Sequence, residues 1–373
     1  MKKIILVLIT LTLLTLITAC KKETTIKIGF ANDLTSVASE LGVSSMYGAL
    51  LAIDDINNSG GINGRKVELI IKDDAGDPLT AVEVDNELID EGVVAIIGHG
   101  ISRVAESVIE NANEKDILLI SPTISSDSST NLDDNFIRVI PPNTAQGVVM
   151  AESLYDHHGD DVVVVLEETN FAYTNDVYQS FKSTFNELGG TVNDEDVISF
   201  ESGKLDDYIR VKSELLAQEK NTILFISSGY DTTTITQLIG IERDFQVHMS
   251  MWSTTPDIFT HSNNLIEGAH GVNFFNFESS SAAFKELETR YLSQYGQSIS
   301  FGSLLTYEAV LMLSDALKTI DNFTANNIKN AIIDIGTFNY VMNDFTINYY
   351  GDCERKIYEL IVEDGEFKEY EED

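Results

Sequence analysis

Short apolar runs alternate with helix-spaced segments along most of this chain, and the alternation restarts once, after Pro141-Pro142. In the first series Thr25–Phe30, Val67–Ile71, Val93–Ile97 and Leu118–Ile120 read as strands. Between them, Ser44–Asn57, Pro78–Asp90 and Ser102–Asn113 space their apolar residues three and four apart, as one face of a helix requires. The second series has strands at Val162–Leu166, Val192–Phe200, Thr222–Ile226 and Val247–Met251. Its helices are Thr144–Asp156, Asp176–Leu188, Leu205–Gln218 and Thr232–Gly240. Strands that are apolar on both faces need covering on both faces, so they predict parallel sheets between layers of helix. Two such series predict an α/β chain with two doubly wound parallel-sheet lobes. The expected lobes are residues 24–142 with 275–340, and 143–274 with 341–368. Helices near Ser281–Tyr295 and Thr306–Ile320 and short strands near Phe345–Asn348 and Lys356–Val362 complete the pattern, before an acidic tail at 369–373.

The beginning of the chain predicts export. Met1-Lys2-Lys3 is basic, and from Ile4 to Ala19 there is no charge. The run is short for a membrane span, which takes about twenty residues, and it ends in Thr18-Ala19-Cys20. Small residues followed by cysteine form a bacterial lipobox, whose thiol takes the lipid and becomes the new N-terminus. Residues 1–19 are thus expected to be a lipoprotein signal peptide, with Cys20 the lipidation site. Acyl chains on that cysteine would hold the protein at a membrane, at the cell surface or in the periplasm.

Charge narrows the partners. The chain carries −36, and loss of Lys2 and Lys3 with the leader makes it −38. Such a surface repels nucleic acid, whose phosphates require Lys and Arg. The two cysteines are Cys20 and Cys353, so a lipidated Cys20 leaves neither a disulfide within the chain nor a cysteine metal site. A monomer is expected.

Ligands of open parallel sheets sit beyond the carboxyl ends of the strands. Two loops there stand out. Gly98-His99-Gly100-Ile101-Ser102 turns tightly and opens a helix, whose free N–H groups suit a carboxylate. Ser121-Pro122-Thr123-Ile124-Ser125 offers hydroxyls and open carbonyls, which suit an ammonium. The equivalent loops of the second series hold Asn170-Phe171-Ala172-Tyr173 and Gly229-Tyr230-Asp231, whose aromatics can cover a ligand from the other side. Each loop alone also reads as ordinary capping or rim packing. Their meeting at adjacent strand ends is what favours a site.

These residues also carry a resemblance. Gly48-Ala49-Leu50-Leu51-Ala52 with Ile56-Asn57, Gly60-Gly61-Ile62-Asn63-Gly64, Asp73-Asp74 with Asp77-Pro78, Gly98 with Ser102, and Ile120-Ser121-Pro122 are similar to motifs of the leucine/isoleucine/valine-binding protein family. So are Arg138 with Pro141, Gln146-Gly147 and Gly351-Asp352, and the likeness runs from about Thr25 to Tyr370. The resemblance implies a type I periplasmic-binding fold with three hinge crossovers, without cofactor, whose lobes close on a solute and dock on an ABC permease. By position, Ser102 resembles the serine that holds the ligand carboxylate. Thr123 and Ser125 resemble the loop that receives the α-ammonium, and Tyr173 and Tyr230 the second-lobe aromatics. Leu41 falls where a tyrosine often lines the side-chain pocket. The family commonly places an acid after the strand matching Val247–Met251, whereas this chain reads Met251-Trp252-Ser253-Thr254-Thr255. Trp252 joins the candidate lining, and Asp257, Asp231 or Glu168 are candidates to supply the missing charge. The solute expected is an amino acid held differently, or one lacking the ammonium.

An enzyme reading finds no support: the chain has no phosphate loop, nucleophile elbow or zinc-helix motif. His157-His158 adjoin, cannot face one ion from a regular helix, and are expected to be solvated near its end rather than to bind a metal; no metal site is expected. Asp73-Asp74 and Asp77 lack the spacing of a calcium loop. A sensing surface lipoprotein on the same fold is the alternative to a transport subunit.

Overall fold

The structure is a computed structural model that describes residues 25–240, 242–256, 258–259 and 266–371. The expected leader, Cys20 and Asp257 lie outside the described residues. No described helix is long and apolar enough to cross a membrane.

The first series builds β1 (Ile26–Asn32), α1 (Ser39–Asn58), β2 (Val67–Asp73), α2 (Pro78–Asp90), β3 (Ala95–Gly98), α3 (Ala105–Lys115), β4 (Leu118–Ser121) and β5 (Phe136–Arg138). The strands form one sheet in the order β2-β1-β3-β4-β5, parallel throughout. β1 lies inside the order and the chain winds outward in both directions, which puts helices on both faces. Local chemistry starts the elements as expected: Pro78 opens α2, and the Asp77 carboxylate accepts the N–H groups of Leu79 and Thr80.

The second series continues with α4 (Asn143–His158), β6 (Val163–Glu167), α5 (Phe171–Leu188), β7 (Val197–Phe200), α6 (Leu205–Ala217), β8 (Thr222–Ile226), α7 (Gly229–Ile239), β9 (Gln246–Met249) and β10 (His270–Asn273). Then come α8 (Ala282–Tyr295), α9 (Phe301–Lys318), α10 (Ala325–Ile335), β11 (Thr337–Phe338), β12 (Phe345–Ile347), β13 (Cys353–Glu354), β14 (Tyr358–Glu363) and β15 (Glu366–Glu369). The second sheet runs β15-β14-β10-β9-β8-β6-β7, with β14 and β15 as an antiparallel hairpin on one edge. β11-β12-β13 make a small separate antiparallel sheet.

The chain crosses between the large sheets three times: after β5, after β10, and between β13 and β14. The two doubly wound sheets and three crossings are the expected type I periplasmic-binding architecture. The helices after the second crossing return to the first sheet. α9 lies against α1 so closely that a Cβ on Gly48 would stand 2.0 Å from the Ser303 carbonyl oxygen. The third crossing falls later than the expected boundary at 341. Arg138 N–H donates to Gly351 O at 3.0 Å, its guanidinium meets Asp352 at 2.5 Å, and Asn131 N–H reaches the same carboxylate. Residues 341–354 therefore sit with the first sheet, held there by the buried Arg138.

Candidate functional site

Both large sheets end in loops on either side of one cleft. On the first-sheet side, Gly98 takes φ +143° and passes so near β1 that a Cβ would lie 2.0 Å from Ala31 O. The chain then turns through His99 and Gly100 into a single 3-10 turn at Ser102–Val104 ahead of α3. The next loop is laced to it. Ser121 Oγ donates to His99 O and accepts the N–H of Ile124, Thr123 Oγ1 donates to Gly100 O at 2.8 Å, and Ser125 N–H points to Ser102 Oγ at 3.4 Å. Ser102, Thr123 and Ser125 are all buried, and Ser125 Oγ has no hydrogen-bond partner.

Behind this wall is a fully buried His99. Its Nδ1 lies 2.5 Å from Asp74 Oδ2 and its Nε2 3.1 Å from Asp85 Oδ1. A ring whose two nitrogens both face carboxylates must carry a proton on each. Burial alone would lower its pKa, but Asp85 and Asp74 outweigh it and raise it to about 10. His99 is thus the buried cation beneath the ligand loops.

The second-sheet side is built from side chains. Tyr173, on the first turn of α5, is buried; its hydroxyl donates to Gln146 Oε1 at 2.9 Å and its ring meets Trp252 edge-on at 5.6 Å. Burial pushes the Tyr173 hydroxyl up to about 12, so it stays a neutral donor. Gln146 Oε1 also accepts the N–H of Met251, which fixes the stretch that carries Trp252. Asn170 Oδ1 accepts Arg103 N–H at 2.9 Å, a hydrogen bond between the two lobes.

Two adjoining cavities fill the gap. One, of about 20 Å³, is lined by Leu41, Ser102, Thr123, Asn170, Tyr173 and Trp252 among others. The other, of about 230 Å³, runs from Leu41, Trp252 and Phe301, which both cavities share, to Ser202, Ser228, Tyr230 and Thr255. Together they suit a small solute rather than a drug-sized one, whose pockets take roughly 300–1,000 Å³. Of the seven predicted lining residues, Leu41, Ser102, Thr123, Tyr173, Tyr230 and Trp252 line these cavities. Ser125 stands one layer behind Ser102. Tyr230 is the exposed member, at 57%.

The candidates for the missing acid separate cleanly. Glu168 is exposed. Asp231 is fully buried on the first turn of α7, where it accepts the hydroxyls of Ser202 at 2.8 Å, Ser228 at 2.6 Å and Tyr208 at 2.6 Å. Desolvation raises its pKa, and it raises that of Glu167 too, with Asp231 adding to the latter. Glu167 accepts the N–H groups of Thr169 and Asn170. Neither carboxylate forms an ion pair among the described residues. The consequence for the cleft is chemical. Ser202 and Ser228 spend their protons on Asp231 and so present lone pairs, not donors, to whatever occupies the cavity. Ser202 lies far from α7 in sequence. A serine two places after a strand end was the signal available.

The expectation for His157-His158 does not hold. α4 ends against the second sheet, and both nitrogens of His158 are buried without partners, beside His248 and His270.

A family model described as periplasmic binding protein matches residues 25–363. A leucine-, isoleucine-, valine-, threonine- and alanine-binding protein of Pseudomonas aeruginosa is 31% identical over 166 residues, which is 44% of this chain and 44% of that protein. The chain therefore matches less than half the length of that relative. The crystal structure of a leucine-binding protein, LivK, of Thermotoga maritima aligns with a TM-score of 0.83 at 22% identity, over 93% of this chain and 98% of the other. LivJ of Streptococcus pneumoniae, solved with isoleucine, gives 0.83 at 20%, over 92% and 98%. At these identities the two structures speak for the fold. The family model spans the first sheet, the second up to β14 and all three crossings, and its members bind solutes and are not enzymes. The motifs, the architecture and these matches converge: the chain belongs to the periplasmic binding protein family, and within it resembles the leucine/isoleucine/valine-binding proteins.

Proposed function

We propose that the protein is the extracytoplasmic solute receptor of an ABC importer, anchored by a lipidated Cys20, and that its solute is an amino acid of the branched-chain type. The lobes of this reading are 24–142 with 275–340 and 143–274 with 341–368, except that 341–354 move with the first. The solute carboxylate sits at the Ser102 turn, beside Thr123 and Ser125. Leu41, Phe301 and Trp252 surround its side chain. Its ammonium is received by the lone pairs of Ser202 and Ser228, with Asp231 behind them in place of the family's acid. A hydroxyl polarised by a buried carboxylate carries part of that charge to the surface, so no unpaired ammonium is buried. Closure is favoured by the contacts the solute adds on the second lobe.

The observation that carries this reading is the gathering of six separately predicted residues on two adjoining cavities between strand ends. The test is calorimetric titration of the mature chain with a panel of amino acids, benzoate-like acids and short amides. Binding of a branched-chain amino acid, with the matching keto acid bound at least tenfold more weakly, supports both solute and ammonium site. Equal binding of the keto acid removes the ammonium from the reading, and no binding by any amino acid refutes it.

A further inference from the structure

Four of the chain's six histidines meet on one face of the second sheet, away from the cleft: His157 and His158 at the end of α4, His248 in β9 and His270 in β10. The sheet register causes it. His270 pairs directly with His248, and Glu359 of β14 is opposite Val272, so all three side chains rise on the side that α4 covers. The rings of His157 and His270 stack with centroids 4.0 Å apart. Glu359 Oε1 is 2.5 Å from His157 Nε2 and 3.6 Å from His270 Nδ1, the latter beyond hydrogen-bond range.

Much of this cluster's hydrogen-bonding capacity is unused. Ser153 Oγ donates to Glu359 Oε1 at 2.6 Å, so it can only accept from His248 Nε2, 2.8 Å away. That leaves His248 Nδ1 a bare acceptor, buried and without a partner. His270 Nδ1 is likewise buried and unpartnered on a residue only 7% exposed, as are both nitrogens of His158. Buried ring nitrogens left unpartnered around a carboxylate suit a cation. Among the described residues, no Lys or Arg pairs with Glu359.

We propose that His157, His270 and Glu359 form a binding site for a divalent transition-metal ion of the zinc class. One ligand atom from each lies within 4.8 Å of the others, and binding would draw these atoms in by about 1 Å to reach metal–ligand distances of roughly 2.0–2.2 Å. Two imidazoles and one carboxylate select a borderline metal over magnesium or calcium, which prefer all-oxygen shells. Ser153 holds the carboxylate from behind, the part an outer-shell residue plays in such sites. The metal would pin the end of α4 to β10 and β14 within one lobe, so it is independent of the solute proposal.

The test uses the untagged mature chain, stripped with chelator and held in millimolar magnesium to occupy surface carboxylates. Zinc titrated by calorimetry should bind one to one in the micromolar range or tighter. Cobalt(II) should give the intense visible bands of a four-coordinate ion. His270→Gln and Glu359→Gln should each weaken zinc at least tenfold with circular dichroism unchanged, and Ser153→Ala about tenfold. Absence of a one-to-one isotherm in the unaltered chain would overturn the proposal, whatever the variants do. So would zinc binding that His270→Gln and Glu359→Gln leave unchanged, or a cobalt spectrum of six-coordinate, aqueous type.

Discussion

The two walls of the cleft are supported by opposite electrostatics. Behind the first wall a protonated His99 lies between Asp74 and Asp85, so buried negative charge is met by a buried cation. Behind the second, Asp231 and Glu167 stand close together with hydroxyls and N–H groups only. Burying a carboxylate is costly unless charge is matched, and hydrogen bonds recover part of that cost. The first wall is therefore complete without a ligand, whereas the second has charge left over that a cationic group in the cleft would match. A closing binding protein needs this asymmetry: one lobe preformed to receive the solute, and one whose contacts improve only when the solute is there.

Breaking the complete wall should have the largest effect. His99→Gln leaves Asp74 and Asp85 buried against each other without a cation, and should cost about 3–5 kcal/mol of stability in denaturant unfolding. The pH dependence follows from the raised pKa. His99 binds its proton more tightly folded than unfolded, so its contribution is complete below its ordinary value of 6.5 and is lost as pH rises through about 10. Stability of the unaltered chain should fall across that window more steeply than that of the variant. Equal slopes would remove His99 from its place as the cation.

Asp231→Asn should do the reverse, and this sharpens the contrast. Loss of an unmatched buried charge should leave stability unchanged or raised. On the proposed reading it should also weaken an amino-acid solute by roughly 1.5–3 kcal/mol, the worth of a hydrogen bond to a charged group. Calorimetry checks both together with thermal unfolding. A variant that loses stability while keeping its affinity would make Asp231 a plain structural acid.

The parts legible in the sequence are those with local causes. Apolar strands and three-to-four helix spacing gave the two sheets, and Gly98, Ser102 and Thr123 stood out because strand ends in such sheets are where backbone turns toward ligands. β5 and β10 escaped notice: Phe136–Arg138 and His270–Asn273 are too short to show a period, and the latter is half polar. α10 escaped because its Ile328, Ala331 and Ile332 stripe follows an asparagine-rich start. The rest depends on partners far away in the chain. Asp231 has its meaning through Ser202 and Tyr208, the third crossing through Arg138 and Asp352, and the histidine face through a register between β9, β10 and β14. Some of these residues stand out singly, but which one meets which cannot be read at either residue alone.

Ser102→Ala tests the preformed wall at the solute rather than at its foundation. Its hydroxyl receives Ser125 N–H over 3.4 Å, a weak bond, so the fold should lose little. The proposed carboxylate should lose about 1–3 kcal/mol of binding. Unchanged affinity in calorimetry would refute the role assigned to Ser102.

Tyr230→Ala should be the mildest change, and the reason separates the two second-lobe aromatics. Tyr173 is buried, hydrogen-bonded to Gln146 and packed on Trp252, so it is already part of the wall. Tyr230 is largely exposed at the mouth of the larger cavity and holds little in place through its ring. Truncation there should leave stability within about 0.5 kcal/mol, as for most surface changes. Affinity should fall by no more than about 0.5–1.5 kcal/mol, the typical worth of one aromatic contact beyond its buried area. A much larger loss would mean that Tyr230 turns inward over the solute, and that the second wall is completed by the ligand in shape as well as in charge.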